Sequence, residues 1–369
     1  MRNKIIIVLI ISMFLLTCFA ATPSLSCIIT SGTNTAGVNN NQKISLNNEK
    51  NLQLALADDI PSIIQQIDEE LILGYLEDIV SFGPRYTGTE SCEQAAEYIY
   101  NEFESMGLAV RYTNGSNANW DVKNIEATLP GIDAASDKIY IICAHYDTNY
   151  MSQGADDDGS GVAAVLAAAK VMSQYSFNST IRFITFGGEE QIMVGSTRYA
   201  KEAKANGDNI IAVLNADMIG YATGNWWKKE TKYVDIWYNN ESEWLANFTY
   251  NVSTYYYKQI NIKVNKAGYS QSSDHASFWS EGFDAIQYKH IGRNSYPDTI
   301  DYINIPYNTK IAKLITASLA ALANDINVPK KETTFTKSTN IKQVLLSVLL
   351  FKEDIIRMIL MNKASISPN

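Results

Sequence analysis

Acidic and imidazole side chains stand at four places along this chain where small or apolar residues surround them. The first place is the run "GADDDGSG", in which Asp156, Asp157 and Asp158 follow one another. Carboxylate oxygens are hard anionic ligands that suit divalent cations, including zinc. An acidic turn that caps the following helix is the alternative interpretation. The run alone does not choose between these two interpretations.

The other three places are the ends of predicted strands. "YIICAHYD" ends in His145 and Asp147, which lie two apart and face the same way, so the imidazole can bind a metal while Asp147 orients it from behind. "FITFGGEEQ" ends in Glu189 and Glu190, of which one can bind a cation while the other faces its water. "VLNADMIG" carries Asp217 inside an apolar strand, where an uncompensated carboxylate is costly. Together these residues predict a metal site.

Predicted strands and helices alternate along the chain, and this alternation predicts the fold that would position the site. We expect an α/β three-layer sandwich with a central mixed, mostly parallel sheet flanked by helices. In such folds ligands bind beyond the carboxyl ends of the strands. The predicted strands include "DKIYIICAH", "STIRFITFGG", "NIIAVLNADMIG", "VDIWYN" and "FDAIQYKH".

Several motifs occur in an order and spacing that resemble the co-catalytic zinc aminopeptidases of the aminopeptidase Y type. They are "AHYDT", "GADDDGSGVAAVLAAAK", "FGGEEQIMVGSTRYA", "NADMIG" and "SDHASFWSEGFDAI", and "GPRYTGT" is similar to the N-terminal signature of that family. The resemblance covers roughly Asp68 to Ile326. It implies a zinc-dependent exopeptidase, most simply an aminopeptidase acting on peptides or proteins with a free N-terminus.

The resemblance also implies a role for each site residue. His145 and Asp217 would hold one zinc ion, and Glu190 would hold the second. Asp157 would bridge the two ions, and the peptide bond that follows it would be cis. Glu189 would act as the general base, taking a proton from the attacking water and passing it to the leaving amine.

One ligand of that family is missing from its usual place. The last ligand there is a histidine in a segment like "YHTxxDT", whereas this chain reads "GRNSYPDTIDYIN" with Asn294 at the histidine position. His290, four residues earlier, is our predicted replacement ligand. Asn294, Tyr296 or a water molecule are the alternatives, so the number of zinc ions, two by resemblance, is open at the second site.

Two other functions compete with the aminopeptidase. A one-zinc enzyme that resembles the glutaminyl cyclases, which share this fold, is the first. A non-catalytic binding domain that kept the fold and lost the full metal site is the second, and the missing histidine is its only support. The adjacent pair Glu189–Glu190 favours an active enzyme, because a decayed site has no need to retain the base.

Composition narrows the partners and the compartment. The formal net charge is −9 and basic residues form no cluster, which argues against nucleic acid as a partner. Residues 1–21 have a basic start, an apolar run and small residues, a pattern typical of a signal peptide, although a retained anchor is the alternative. We therefore predict a secreted or extracytoplasmic protein.

The rest of the chain divides by composition. Residues 22–58 are predicted to be a disordered linker, 59–328 the zinc peptidase domain, and 329–340 a second linker. An amphipathic helix is predicted at 341–363. This helix can lie on a membrane, dock on a partner or pack on its own domain. Cys92 and Cys143 are the cysteines of the predicted domain; they make no disulfide framework, and we interpret Cys143 as a core residue.

Overall fold

The computed structural model places most of the predicted peptidase domain. All described residues belong to one compact unit. The predicted signal peptide, both linkers and the C-terminal amphipathic helix lie outside the described residues. The structure describes residues 59–222, 232–290, 297–326 and 328.

An eight-stranded mixed sheet organises these residues. Its strands are β1 (Ala109–Asn114), β2 (Lys123–Leu129), β3 (Lys138–His145), β4 (Thr180–Phe186), β5 (Asn209–Ala216), β6 (Tyr233–Tyr238), β7 (Lys263–Gly268) and β8 (Ala285–His290). Their order is β1-β2-β4-β3-β5-β8-β6-β7. The four central strands β4, β3, β5 and β8 run parallel, whereas β2 joins β4, and β6 joins β8, in antiparallel fashion.

Helices flank the sheet, as the alternating pattern predicted, so the α/β fold class is confirmed. They are α1 (59–65), α2 (Glu69–Ser81), α3 (Glu90–Ser105), α4 (Ser160–Met172), α5 (Val194–Asn206), α6 (Glu243–Tyr255), α7 (Tyr257–Ile260), α8 (His275–Ser280) and α9 (Ile305–Ala323). Helix α4 packs against α2, α9 and β3, and is buried at every position except Lys170. Its alanines allow this close approach to the sheet.

The sequence pattern did not anticipate β1, β2, β7 or α8. Strand β1 alternates poorly, because four of its six residues are exposed, and β7 has a single buried position, Val264. Both lie at the edges of the sheet, where one neighbour is missing and burial is incomplete. Hydrophobic periodicity identifies strands by their buried face, so edge strands of this kind give little signal.

A kinked turn, Ala155–Gly159, leads into α4 and carries the acidic run, with Asp157 and Asp158 in non-helical backbone conformations. The residue before it, Gly154, has φ +62°, in the left-handed region that favours glycine. A Cβ there would collide with Thr148 Cγ2 and would lie 2.8 Å from both Arg85 Nη2 and Asp157 O. The turn therefore needs glycine for two reasons, its backbone conformation and the space around it.

Gly154→Ala is expected to lower the free energy of unfolding by about 3 kcal/mol, because it adds a steric clash to the cost of the left-handed conformation. Gly207→Ala is the matched control, since Gly207 has φ +73° but open space around its Cβ position. This control should cost only about 1 kcal/mol. Urea denaturation of both variants measures the difference, and equal losses would contradict the tight packing at Gly154.

Candidate metal centre and catalytic site

The register of the central strands brings the predicted site residues together. In the parallel pair β3 and β5, Cys143 lies opposite Asn215. His145 follows Cys143 by two residues, and Asp217 follows Asn215 by two residues. His145 and Asp217 therefore lie at the same level at the carboxyl edge of the sheet. Cys143 itself is fully buried in an apolar cluster and donates to Asn215 Oδ1 at 3.4 Å, in agreement with its interpretation as a core residue.

Three side chains form a compact group of possible metal ligands. His145, Asp158 and Asp217 are buried, and each offers one ligand atom within 4.8 Å of the others. Asp217 is further held by Gln287, whose Nε2 donates to Asp217 Oδ2 at 3.0 Å. Among the predicted ligands, the structure thus places His145 and Asp217 together, as expected from the strand ends.

The two last aspartates of the acidic run have different surroundings. The peptide bond Asp157–Asp158 is cis, as the resemblance implied. Asp158 accepts hydrogen bonds from the backbone N–H groups of His145, Gly161 and Met218 at 3.2, 3.0 and 3.2 Å. Asp157 instead directs Oδ1 to His145 Nε2 at 3.1 Å, with 35 % of its side chain exposed. The Asp157 carboxylate is therefore accessible from the site, whereas the Asp158 carboxylate already accepts hydrogen bonds from three backbone N–H groups.

The first aspartate of the run is tied to the neighbouring loop. Asp156 Oδ1 accepts from the backbone N–H groups of Gly220 and Tyr221 at 2.8 and 3.0 Å. His290 places Nε2 3.0 Å from Asp156 Oδ2, and both side chains are buried. His290 thus lies beside the acidic run but outside the His145–Asp158–Asp217 group. Its role as a metal ligand stays a prediction.

Asp298 supports the acidic run from outside. Its carboxylate accepts from the backbone N–H groups of Asp156 and Asp157 at 2.6 and 3.4 Å and from the Ser152 hydroxyl at 2.9 Å. Asp298 and Thr299 form the "DT" pair of "GRNSYPDTIDYIN", which matches the "DT" of the family segment "YHTxxDT". Asn294 and Tyr296, the alternative replacement ligands, lie outside the described residues.

Asp147 organises the glutamate pair. Its carboxylate oxygens accept the backbone N–H of Glu189 at 3.0 Å and that of Glu190 at 3.2 Å, and Thr87 donates its hydroxyl at 3.1 Å. The carboxylate lies 3.6 Å from His145 Nδ1, while the Asp147 backbone carbonyl lies closer, at 3.1 Å. Asp147 therefore orients the imidazole chiefly through its main chain and fixes both glutamates through its side chain.

Burial and mutual repulsion shift the pKa values of the site. Burial, together with the nearby carboxylates of Asp274, Asp217 and Asp147, raises the pKa of Glu189 to about 9 against the attraction of His145. Burial, followed by repulsion from Asp157, likewise raises the pKa of Glu190. These acids are unfavourable as anions so close together, because burial removes the solvent that would screen them.

The residues at this site fit zinc. An imidazole and several carboxylates are the ligand types that zinc takes in catalytic centres. Burial raises the pKa of Asp217, and Asp157 adds repulsion to it, so these acids face each other without enough positive charge among the described residues to balance them. A divalent cation between them would supply that charge and would favour their ionised forms.

Arg85 is a residue whose part in the site the sequence analysis did not assign. Its fully buried guanidinium donates to backbone carbonyls only, including those of Tyr146 at 2.8 Å, Gln153 at 2.9 Å and Gly154 at 3.0 Å. It therefore ties the end of β3 to the turn before the acidic run. The signal for it was the motif "GPRYTGT", which contains both Arg85 and Thr87.

Residues 124–319 match peptidase family M28. This match spans more than half of the chain. The chain belongs to peptidase family M28. Among curated relatives, Leucine aminopeptidase 1 of Paracoccidioides brasiliensis is 26 % identical over 290 residues, which cover 72 % of this chain and 74 % of that protein. This membership confirms the family predicted from the motifs and the class of enzyme, a metallo-aminopeptidase with zinc chemistry.

Solved structures give the same fold. An aminopeptidase from Aneurinibacillus sp. strain AM-1 superposes with a TM-score of 0.61 at 18 % identity, covering 74 % of this chain and 98 % of that one. A glutaminyl cyclase from Bacteroides thetaiotaomicron superposes with a TM-score of 0.56 at 18 % identity, covering 69 % of this chain and 98 % of that one. At these identities the likeness shows the fold alone.

Asp274 is a further acid close to the site that sequence analysis passed over. It is fully buried at the start of α8, where the Ser196 hydroxyl donates a hydrogen bond to its carboxylate. Burial raises the pKa of Asp274 to about 7, against the attraction of His145. The folded protein therefore holds a proton on Asp274 at mildly acidic pH.

The raised pKa of Asp274 makes stability fall as pH rises between about 4 and 7, because the unfolded chain releases this proton in that window and the folded chain keeps it. Asp274→Asn removes this dependence. Urea denaturation of zinc-free protein should show little difference from the wild type at pH 4. The variant should be more stable by on the order of 4 kcal/mol at pH 7.

Asp301→Asn, at an exposed carboxylate of the described chain, is the matched control for Asp274→Asn. It should follow the wild type at every pH. A constant stability difference between Asp274→Asn and the wild type would show that Asp274 is already ionised when buried.

Proposed function

We propose that this chain is a secreted zinc aminopeptidase that removes N-terminal residues from peptides or proteins, with Glu189 as the general base. One observation carries the proposal: Glu189 Oε2 lies 3.9 Å from His145 Nε2, the same nitrogen that Asp157 Oδ1 approaches to 3.1 Å. A carboxylate of raised pKa thus stands directly beside the predicted ligands. This is the arrangement that hydrolysis by an activated water requires.

Zinc bound by His145, Asp157 and Asp217, with a second ion at Glu190, would supply Lewis-acid activation of the peptide carbonyl and of the attacking water. Glu189 receives the proton of the attacking water on its carboxylate and delivers it to the leaving amine. Asp147 keeps this carboxylate in place by holding the backbone of both glutamates.

The acidic surroundings of the site suit a substrate with a free amino terminus. An N-terminal ammonium group is attracted by partly exposed carboxylates such as those of Asp157 and Glu190. The relative described above carries the name leucine aminopeptidase, and we extend a preference for leucine-like N-terminal residues to this chain on that basis.

The glutaminyl-cyclase alternative shares the fold but is less well supported by the site. The carboxylates of Asp157 and Glu190 are both close enough to His145 to interact with it electrostatically, which supports the proposal of a second ion. The closeness of Glu189 to His145, in a member of a peptidase family, supports a catalytic function over a non-catalytic binding domain.

Secretion rests on the apolar N-terminal sequence, which lies outside the described residues, as does the C-terminal segment predicted to contact a membrane surface or a partner. No helix within the described ranges has the length and hydrophobicity to cross a membrane.

Glu189→Gln tests the assigned base. The amide keeps the size of the side chain but cannot accept the proton, so kcat for Leu-amide should fall by at least about a hundredfold. Zinc content, measured by elemental analysis, should match the wild type. Glu104→Gln, at an exposed glutamate on α3, is the control and should retain full activity. Full activity in Glu189→Gln would remove Glu189 from the mechanism.

His290→Ala tests the replacement ligand. If His290 completes the second site, the wild type binds two zinc ions per chain and the variant binds one, because His145 and Asp217 still hold the first. Titration of zinc-free protein with zinc gives both stoichiometries. Two zinc ions in the variant would show that His290 contacts Asp156 but is not a zinc ligand.

A further inference from the structure

The loops that follow Asp147 and Glu190 carry exposed apolar side chains that the proposed chemistry does not use. Met151 and Ile192 are each 85 % exposed, and Tyr150 is 67 % exposed. Two further aromatic residues, Tyr86 and Trp120, are half-buried beside them. We call these five residues the apolar rim. Exposed apolar groups clustered in this way commonly mark binding surfaces.

Contacts between loops place the rim next to the glutamate pair. The backbone N–H of Asn149 donates to the Glu190 carboxylate, and Tyr150 and Met151 follow it directly. Ile192 lies two residues beyond Glu190. The rim residues Tyr150, Met151 and Ile192 therefore adjoin Glu190, one of the predicted metal ligands.

Tyr86 and Trp120 extend the rim across two other loops. The Tyr86 ring meets Trp120 edge-to-face with centroids 5.9 Å apart, and meets Tyr150 in the same way at 5.5 Å. Tyr86 is flanked by Arg85 and Thr87, both of which contact the β3 end of the site. The three rings thus form one contiguous aromatic cluster, and residues that also hold the site flank its central ring, Tyr86.

Ile192 is held in an unusual conformation. Its φ is +69°, in the left-handed region that is strained for a β-branched residue. The turn is closed by Met193 N donating to Glu189 O at 2.8 Å, so the backbone that presents Ile192 also carries the proposed base. An exposed isoleucine in this position gains nothing from core packing, which is consistent with a role in contacting a ligand.

We propose that the apolar rim binds the substrate polypeptide downstream of its first residue and selects large aromatic or aliphatic side chains there. The inference rests on the proposed aminopeptidase function, and it names the substrate class of that same site. Its basis is continuity: the rim is joined through Asn149, Glu190 and Asp147 to the groups that hold and cleave the N-terminal residue. Burial of an apolar side chain against rings of this kind favours both the bound substrate and its transition state.

Competing tetrapeptides test the rim in the full-length zinc-loaded enzyme. For the wild type, kcat/KM for Leu-Phe-Gly-Gly should exceed that for Leu-Gly-Gly-Gly by about tenfold or more, mainly through KM. The double variant Tyr150→Ser/Met151→Ser and the single variant Ile192→Ser should each reduce this ratio severalfold. Tyr250→Ser, at a 49 % exposed tyrosine on α6, is the control and should keep the ratio.

The outcomes separate the rim from the proposed function. Hydrolysis of Leu-amide with an unchanged tetrapeptide ratio in both rim variants would overturn the rim and leave the aminopeptidase intact. Absence of Leu-amide hydrolysis by the zinc-loaded wild type would instead overturn the aminopeptidase itself. A dimer that dissociates in the rim variants, with the ratio unchanged, would assign the rim to self-association and overturn the inference.

Discussion

Buried negative charge at the carboxyl edge of the central strands is the constraint on which the rest of the site depends. Asp147, Asp158 and Asp217 lie around His145 and are almost fully excluded from water. Backbone N–H groups compensate two of them: Asp158 accepts three such bonds and Asp147 accepts two. The remaining charge, on Asp217 and the exposed side of Asp157, is what a divalent cation would balance. A divalent cation would thus complete an electrostatic arrangement that the polypeptide leaves incomplete.

The same arrangement sets the properties of the proposed base. The burial that makes ionised carboxylates costly also raises the pKa of Glu189 to about 9. A cation bound at His145 would lower this pKa toward about 7, where a general base works best. Arg85 and Gly154 hold the loop that carries the acidic run, and Asp147 holds the loop that carries the glutamates. The proposed ligands and the proposed base are therefore held in place relative to one another, although none of them lies in a regular helix or in the middle of a strand.

Much of this site could be predicted from the sequence because metal-binding residue types at strand ends are rare by chance. His145, Asp217 and the glutamate pair were found in this way, and parallel pairing brought them to one edge. Asp274 and Arg85 were missed because their roles depend on burial, which single positions in loops do not reveal. The contact between His290 and Asp156 was equally invisible, since it joins the end of β8 to a loop 134 residues earlier only through the sheet order. The edge strands β1 and β7 were not predicted because most of their residues are exposed and show no alternation of apolar and polar side chains.

Removal and restoration of zinc, with blocked and unblocked substrates, tests the zinc aminopeptidase assignment most directly. Chelated protein, zinc-restored protein and untreated protein would be compared for hydrolysis of Leu-amide and of N-acetyl-Leu-amide. We predict that only Leu-amide is cleaved, that chelation abolishes this cleavage, and that added zinc restores it. Hydrolysis that persists in verified zinc-free protein, or equal cleavage of the acetylated substrate, would contradict the assignment.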